Sequence, residues 1–171
     1  MNKMNRSSRA LMLGLAAGIA LSSLSTAQAD PMNVTATVQG TCLLGTLSDV
    51  DFLTLIPGTS GDGAATSTIE WRCTNDTTAE ILIDDGQRND RTMLGDGPLA
   101  ETMAYDLFTD NFYADRWGGA ATEGVGVTGT GMAIGNIDTV TVYGQVLEAD
   151  YIDLEPATYT DIVDVTINLT P

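Results

Sequence analysis

The segment Asp161-Ile-Val-Asp-Val-Thr-Ile-Asn-Leu-Thr-Pro171, DIVDVTINLTP, alternates apolar and polar side chains with period two. That period sends Val163, Val165, Ile167 and Leu169 to one face and Asp164, Thr166, Asn168 and Thr170 to the other, the pattern of a half-buried β-strand. The same period recurs upstream. Val34, Ala36 and Val38 alternate with Thr35, Thr37 and Gln39, and STIEWRC (67–73) sets Ile69, Trp71 and Cys73 on one face. AEILIDD (79–85) aligns Ile81 with Ile83, and ETMAYDLFTD (101–110) aligns Met103, Tyr105 and Leu107. DTVTVYGQV (138–146) aligns Val140 and Val142 and then reaches Gly144, where a bulge or a close backbone approach is expected. No window of a dozen residues reads as an amphipathic helix.

Between these segments lie the connectors PGTSGDGAA (57–65), DDGQRNDRTMLGDGP (84–98) and WGGAATEGVGVTGTG (117–131). Short alternating segments punctuated by Gly, Asp and Asn predict an all-β, immunoglobulin-like antiparallel β-sandwich. The glycine-rich connector fits either a loop or a bulged strand.

The first residues predict a secretory leader. Lys3, Arg6 and Arg9 precede an apolar run from Leu11 to Leu24, and Ala27-Gln28-Ala29 is an A-x-A cleavage site. Cleavage after Ala29 leaves residues 30–171 as a single domain with no further segment able to span a bilayer. Three of the seven basic residues leave with residues 1–29. Four arginines then face all 23 acids, so the formal charge moves from −16 to four minus 23, or −19. Such a chain repels phosphate backbones, which argues against nucleic-acid partners. Two cysteines in an exported chain predict one disulfide, Cys42 to Cys73. Closing a loop of that length contributes ~3–4 kcal/mol through the unfolded state.

Several chemistries are excluded or poorly supported. The sequence has no histidine, which removes Ser-His-Asp and Cys-His nucleophile systems and, with two cysteines, any ordinary zinc site. Gly124-Val-Gly126-Val-Thr-Gly129 matches G-x-G-x-x-G, but strand and turn residues follow it instead of a helix. Asp84, Asp85 and Asp90 lack calcium-loop spacing, and no carboxylate pair stands out for glycoside hydrolysis. The expectation is a protein without cofactor, metal or enzymatic activity.

A set of ordered motifs resembles the spore coat protein U-type domain, the fold of Csu-type pilins of the archaic chaperone–usher pathway. A cysteine follows the N-terminal segment (Cys42), and a second precedes threonine (Cys73-Thr74). D-x-G-x-R-x-x-R stands as Asp84-Asp-Gly86-Gln-Arg88-Asn-Asp-Arg91, and Y-x-L-Y-x-D as Tyr105-Asp-Leu107-Phe-Thr-Asp110. Trp117-Gly118, VYGQV (142–146) and a closing YTDIVDVTINL (159–169) complete the order. The sequence departs from the family where Leu53 follows Phe52, a position often glycine, and where Leu169-Thr170-Pro171 replaces a C-terminal aromatic.

The resemblance implies a sandwich that lacks its last strand and is completed by donor-strand exchange. Val163, Val165, Ile167 and Leu169 would line the acceptor groove. Met32, Val34, Ala36 and Val38 would be either the donor strand given to a neighbouring copy or the first strand of their own domain. Arg88 and Arg91 would pair with the loop acids Asp84 and Asp85. The implied partners are other copies or related pilins in a filament, a periplasmic chaperone and an outer-membrane usher. The product would be a cell-surface pilus serving adhesion or biofilm formation, the alternatives being a secreted coat or matrix protein of the same fold and a tip adhesin.

Overall fold

Period-two segments become strands only where a partner edge accepts their backbone groups, and this chain shows both outcomes. The computed structural model describes residues 28–120 and 123–170, so the expected leader lies outside them apart from its last two residues. The chain divides into two units, Met1–Thr37 and Val38–Pro171. In the first, residues 28–37 form no strand and every side chain is exposed, and Val38 to Thr41, in the second, likewise form none. The alternation of Met32, Val34, Ala36 and Val38 therefore specifies a strand-compatible segment without a ladder.

The second unit begins with β1 (Cys42–Leu47), β2 (Gly63–Cys73) and β3 (Thr78–Ile83). It continues with β4 (Thr92–Gly95), β5 (Thr102–Ala104), β6 (Asp106–Phe108) and β7 (Val125–Thr128), and closes with β8 (Asp138–Val146), β9 (Tyr159–Thr160) and β10 (Val165–Leu169). All pairings are antiparallel, in three sheets ordered β1-β2-β8-β6, β10-β3-β7 and β5-β4-β9. Two of these strands are hidden in sequence connectors: β4 is the TMLG of the long acidic connector, and β7 is the VGVT of the glycine-rich one. Among the described residues no helix is long and apolar enough to cross a membrane.

One apolar cluster joins the sheets. Ile69, Trp71 and Cys73 of β2 and Val142 and Val146 of β8 meet Ala79, Ile81 and Ile83 of β3. Met103, Tyr105 and Leu107 share a buried face although the strand changes sheets between them, β5 pairing with β4 and β6 with β8. The Tyr105 N–H, at the switch, donates to Arg91 O at 2.9 Å. Cys42 and Cys73 are disulfide-bonded and directly opposite one another in the β1–β2 ladder, which fastens β1 at its first residue.

After Leu47 the chain leaves the edge of β2, and Val50 and Phe52 come to lie against Gly144. A Cβ at Gly144 would stand 2.8 Å from Val50 Cγ1 and 2.9 Å from Phe52 Cζ, so the glycine makes room for this crossing. Leu53 follows with a φ of 57°, a left-handed conformation in which its Cβ is crowded. Its side chain is exposed, so the residue gains little packing in return. Between β6 and β7, the Asp110 carboxylate accepts hydrogen bonds from the N–H groups of Phe112 (2.7 Å), Asp115 (2.8 Å) and Ala114 (3.3 Å), ordering the loop that carries Phe112.

Two outcomes follow. Leu53→Gly relieves ~1–2 kcal/mol of left-handed strain against ~0.5–1 kcal/mol of added chain entropy. The urea midpoint therefore rises by an amount equivalent to about 0.5–1 kcal/mol, and an unchanged or lower midpoint would show that the strain is absent. The backbone N–H of Asp115, followed by those of Phe112 and Ala114, holds the Asp110 carboxyl below its ordinary range. This stabilisation is complete above about pH 4, the unfolded value, and disappears as pH falls through the folded value. Amide exchange at Phe112 and Asp115 should therefore accelerate, relative to the rest of the domain, as pH falls below about 4. Asp110→Asn should flatten this pH response.

Candidate functional site

Burial across the β3–β10 ladder is sharply unequal. The register pairs Val165 with Ile83, Ile167 with Ile81 and Leu169 with Ala79 on the same inner face. The β3 members are 1%, 0% and 2% exposed, whereas Val165 and Ile167 are half-buried and Leu169 is 52% exposed. Two facing rows on adjacent strands of the same sheet thus see different surroundings. β10 is the outermost strand of its sheet, and β1 is the outermost strand of the other. They run close to each other without a ladder between them. On the β1 side, Leu44 is half-buried opposite the buried Trp71.

β1 and β10 thus border a seam along which the inner row of β10 is left half-open. Its β10 wall is the row Val163, Val165, Ile167 and Leu169; Val163 lies two residues before the strand proper but keeps the same alternation. Completing the burial of four such side chains from a half-buried state is worth ~3–6 kcal/mol in total. That is a large share of the 5–15 kcal/mol that stabilises an ordinary domain.

The seam has a built end. Asp161 continues the inward alternation below Val163, yet its side chain is only 3% exposed. One of its oxygens accepts the Tyr105 hydroxyl at 2.8 Å. The other accepts the Gln87 N–H at 3.2 Å and pairs with Arg88 Nη1 at 3.4 Å. Gly86, with φ of 78°, lies so close that a Cβ would collide with this carboxylate. Burial, followed by the Asp161 hydrogen bond, pushes the Tyr105 hydroxyl well above the ordinary tyrosine range, which keeps it a donor.

Beside this carboxylate, Arg91 is 1% exposed. Its Nη2 donates to Ile83 O at 2.9 Å and Trp117 O at 2.8 Å, its Nε donates to Asp85 at 3.3 Å, and its guanidinium lies 6.0 Å from the centre of the Tyr105 ring. Trp117 is fully buried and donates from Nε1 to Ile81 O at 2.8 Å. Arg116 bridges Asp106 (2.6 Å) and Asp85 (3.0 Å) on the outside.

The ion pairing thus differs in part from the sequence expectation. Arg91 does meet Asp85, but Arg88 meets Asp161 from the last strand, and the Asp84 oxygen accepts the N–H groups of Gly86 (3.0 Å) and Asp164 (2.9 Å). Asp84 thus caps two backbone groups, one in its own turn and one just before β10. Asp161 and Tyr105 went unread as site residues. Their signal lies in the closing YTDIVDVTINL (159–169) and in Y-x-L-Y-x-D, but an acid inside an alternating segment reads as solvated.

A cavity of about 450 Å³ is lined by Val50, Phe52, Met103, Tyr151, Leu154 and Tyr159, among others. The glycines of the G-x-G-x-x-G match belong to β7 and its flanks, and Gly129 packs against Cys73. Among the described residues no group of three His, Cys, Asp or Glu side chains is placed to hold a metal ion.

Comparison with known proteins follows the same line. A sequence model of the Spore Coat Protein U domain matches residues 28–166. No curated protein gives a significant match. Among solved structures, the chaperone–tip adhesion subunit pre-assembly complex from the archaic chaperone–usher Csu pili of Acinetobacter baumannii matches with a TM-score of 0.53 and 21% identity. The match covers 77% of this chain and 40% of that one. A chaperone–tip adhesin complex of CFA/I fimbriae biogenesis matches with a TM-score of 0.44 and 12% identity, covering 75% and 42% of the two chains.

Replacing Arg91 tests whether the motif cluster is held by that one guanidinium. Arg91→Ala leaves the Ile83 and Trp117 carbonyls buried without a donor and should cost about 3–5 kcal/mol of unfolding free energy. Arg91→Lys should still cost about 1–3 kcal/mol, because an ammonium cannot reproduce the planar fork. Equal urea midpoints for wild type and Arg91→Lys would show that only charge matters there.

Proposed function

The chain belongs to the Spore Coat Protein U domain family, and on that premise we propose that it is a structural subunit of an extracellular pilus of the chaperone–usher kind. It is exported by its leader and carried by a periplasmic chaperone to an outer-membrane usher. There it polymerises by giving its N-terminal segment to the groove of a neighbouring copy. Met32, Val34, Ala36 and Val38 are the donor side chains; Val163, Val165, Ile167 and Leu169 line the acceptor. The fibre serves adhesion and biofilm formation.

One observation carries this reading: the half-open inner row of β10 opposite a fully buried row on β3. A free strand edge beside an exposed apolar row is a liability for a lone domain. It is also the arrangement that recruits an added strand, whose backbone supplies affinity and whose alternate side chains supply register. The exposed segment before β1, strand-like in pattern and without a ladder, supports the complementary half. Because such a contact is head-to-tail, it extends into a filament instead of closing. The solved structure of a chaperone with a tip adhesion subunit supports the chaperone as partner, and it supports a second reading in which this chain is itself a tip subunit.

The test compares the chain starting at Asp30 with one lacking Asp30 to Val34, each run unheated on a denaturing gel and viewed by electron microscopy. The expected result is a heat-sensitive ladder and fibres from the intact chain, both lost on deletion. An intact chain that remains a monomer with reversible unfolding would overturn strand exchange and favour a coat or matrix protein. A tip subunit would cap fibres in single copy.

A further inference from the structure

Resting on the strand-exchange reading, we infer that Asp161 is the end-stop of the acceptor groove and that it fixes the donor's register to four apolar side chains. The groove row is Val163, Val165, Ile167 and Leu169, and it ends at Asp161, whose buried carboxylate is saturated by Tyr105, Gln87 and Arg88. The donor row is Met32, Val34, Ala36 and Val38, and it is bounded at the same parity by Asp30 and Gly40. Each row advances over six residue steps, ~20 Å at 3.3 Å per residue. The two rows match in number and in length.

The direction of the donor follows from where the chain enters and leaves the domain. Thr41 is tied to Thr74, whose N–H donates to Thr41 O at 2.9 Å and whose hydroxyl oxygen accepts the Thr41 N–H at 3.0 Å. Thr170, beyond the end of β10, is tied to Thr78, its N–H donating to Thr78 O at 3.0 Å. The start of β1 and the end of β10 therefore lie at one end of the domain, around residues 74–78. A copy's own extension departs from that end, so in a head-to-tail filament the incoming donor enters from the other, beside Val163. Val38, the donor residue nearest its own body, then stops at Val163, and the donor runs antiparallel to β10.

The register is Val38 with Val163, Ala36 with Val165, Val34 with Ile167 and Met32 with Leu169. The longest donor side chain covers the most exposed acceptor residue. Gly40 falls opposite Asp161, so no fifth side chain is pressed onto the carboxylate. A slide of one pair toward β9 would take Val38 off Val163 and press it onto Asp161, whose enclosed carboxylate offers a polar surface and no apolar partner. It would also leave Leu169 uncovered.

Cysteine pairs read the register in the full mature chain with Cys42–Cys73 intact. Side chains directly opposite in an antiparallel pair have Cβ atoms ~4.5–5.5 Å apart, within reach of a disulfide, while diagonal neighbours at ~7–8 Å are not. Val38→Cys with Val163→Cys should give a heat-stable, reductant-sensitive ladder. Ala36→Cys with Val163→Cys, the slid register, and Val38→Cys with Val165→Cys should each link about tenfold less.

The same pairs are then measured with Asp161→Val and Asp161→Asn, scoring the ratio of slid to registered links on linked molecules only, so that folding yield does not enter. The ratio should rise about tenfold with valine and less with asparagine, which keeps an acceptor for Tyr105. Dominant linking at a different pair, or a ratio unmoved by both substitutions, overturns the end-stop while strand exchange stands. Absence of any heat-sensitive ladder from the unsubstituted chain, or links formed only within a monomer, removes the strand-exchange reading and this inference with it.

Discussion

A β-strand offers hydrogen-bonding groups along both edges, and β10 finds partners for one edge in β3. The architecture around it is arranged about the other edge. β1 stands near enough to wall the seam but forms no ladder with β10, and the Cys42–Cys73 disulfide keeps that wall against β2. Without the covalent tie, β1 would itself be a fraying edge strand, held by a ladder whose register shifts between Leu44 and Leu47. The seam persists because both of its walls are fixed from behind.

The ion pairs among the described residues gather at one place. Three of the four arginines of the described residues converge on the junction of β3, β6 and the last strand, each engaging an aspartate. The buried Arg91 satisfies two carbonyls at a point where strands end and cannot pair their own backbone groups. A buried ion pair is weak evidence for stability in general. Here the hydrogen bonds to carbonyls, more than the 3.3 Å pairing with Asp85, account for the residue. The exposed Arg116 bridge, open to solvent on both partners, adds little.

Long alternating segments were legible as strands because a half-buried strand writes its burial into the sequence: β2, β8 and β10 fall where the period predicted. β4 and β7 were not, since four residues are too few for a period and both carry glycine. β1 was missed because CLLGTL does not alternate; its pairing to β2 is irregular and its register partly set by a disulfide. The inner row of β10 was visible as a pattern, but not its half-open state, which depends on what lies beside it in the fold. In the same way Met32 to Val38 read as a strand from their own residues, while a ladder is a property of two strands' edges. Asp161 was hidden by its neighbours: nothing local tells a buried acid from a solvated one when its partners, Tyr105 and Arg88, lie 56 and 73 residues away.

The placement of the arginines also governs how the domain meets proteases that cut after basic residues. The sequence beyond Asp30 contains no lysine, and no basic residue follows Arg116. Of the four available sites, Arg72 sits within the paired part of β2, and the others are engaged at the motif junction. Cleavage needs the chain to open locally around the scissile bond, so such an enzyme would report on that junction and on β2. Fraying of β10 or of the segment before β1 would pass unnoticed. The exposed segment before β1 and the half-buried β10 thus offer trypsin-like enzymes no place to cut.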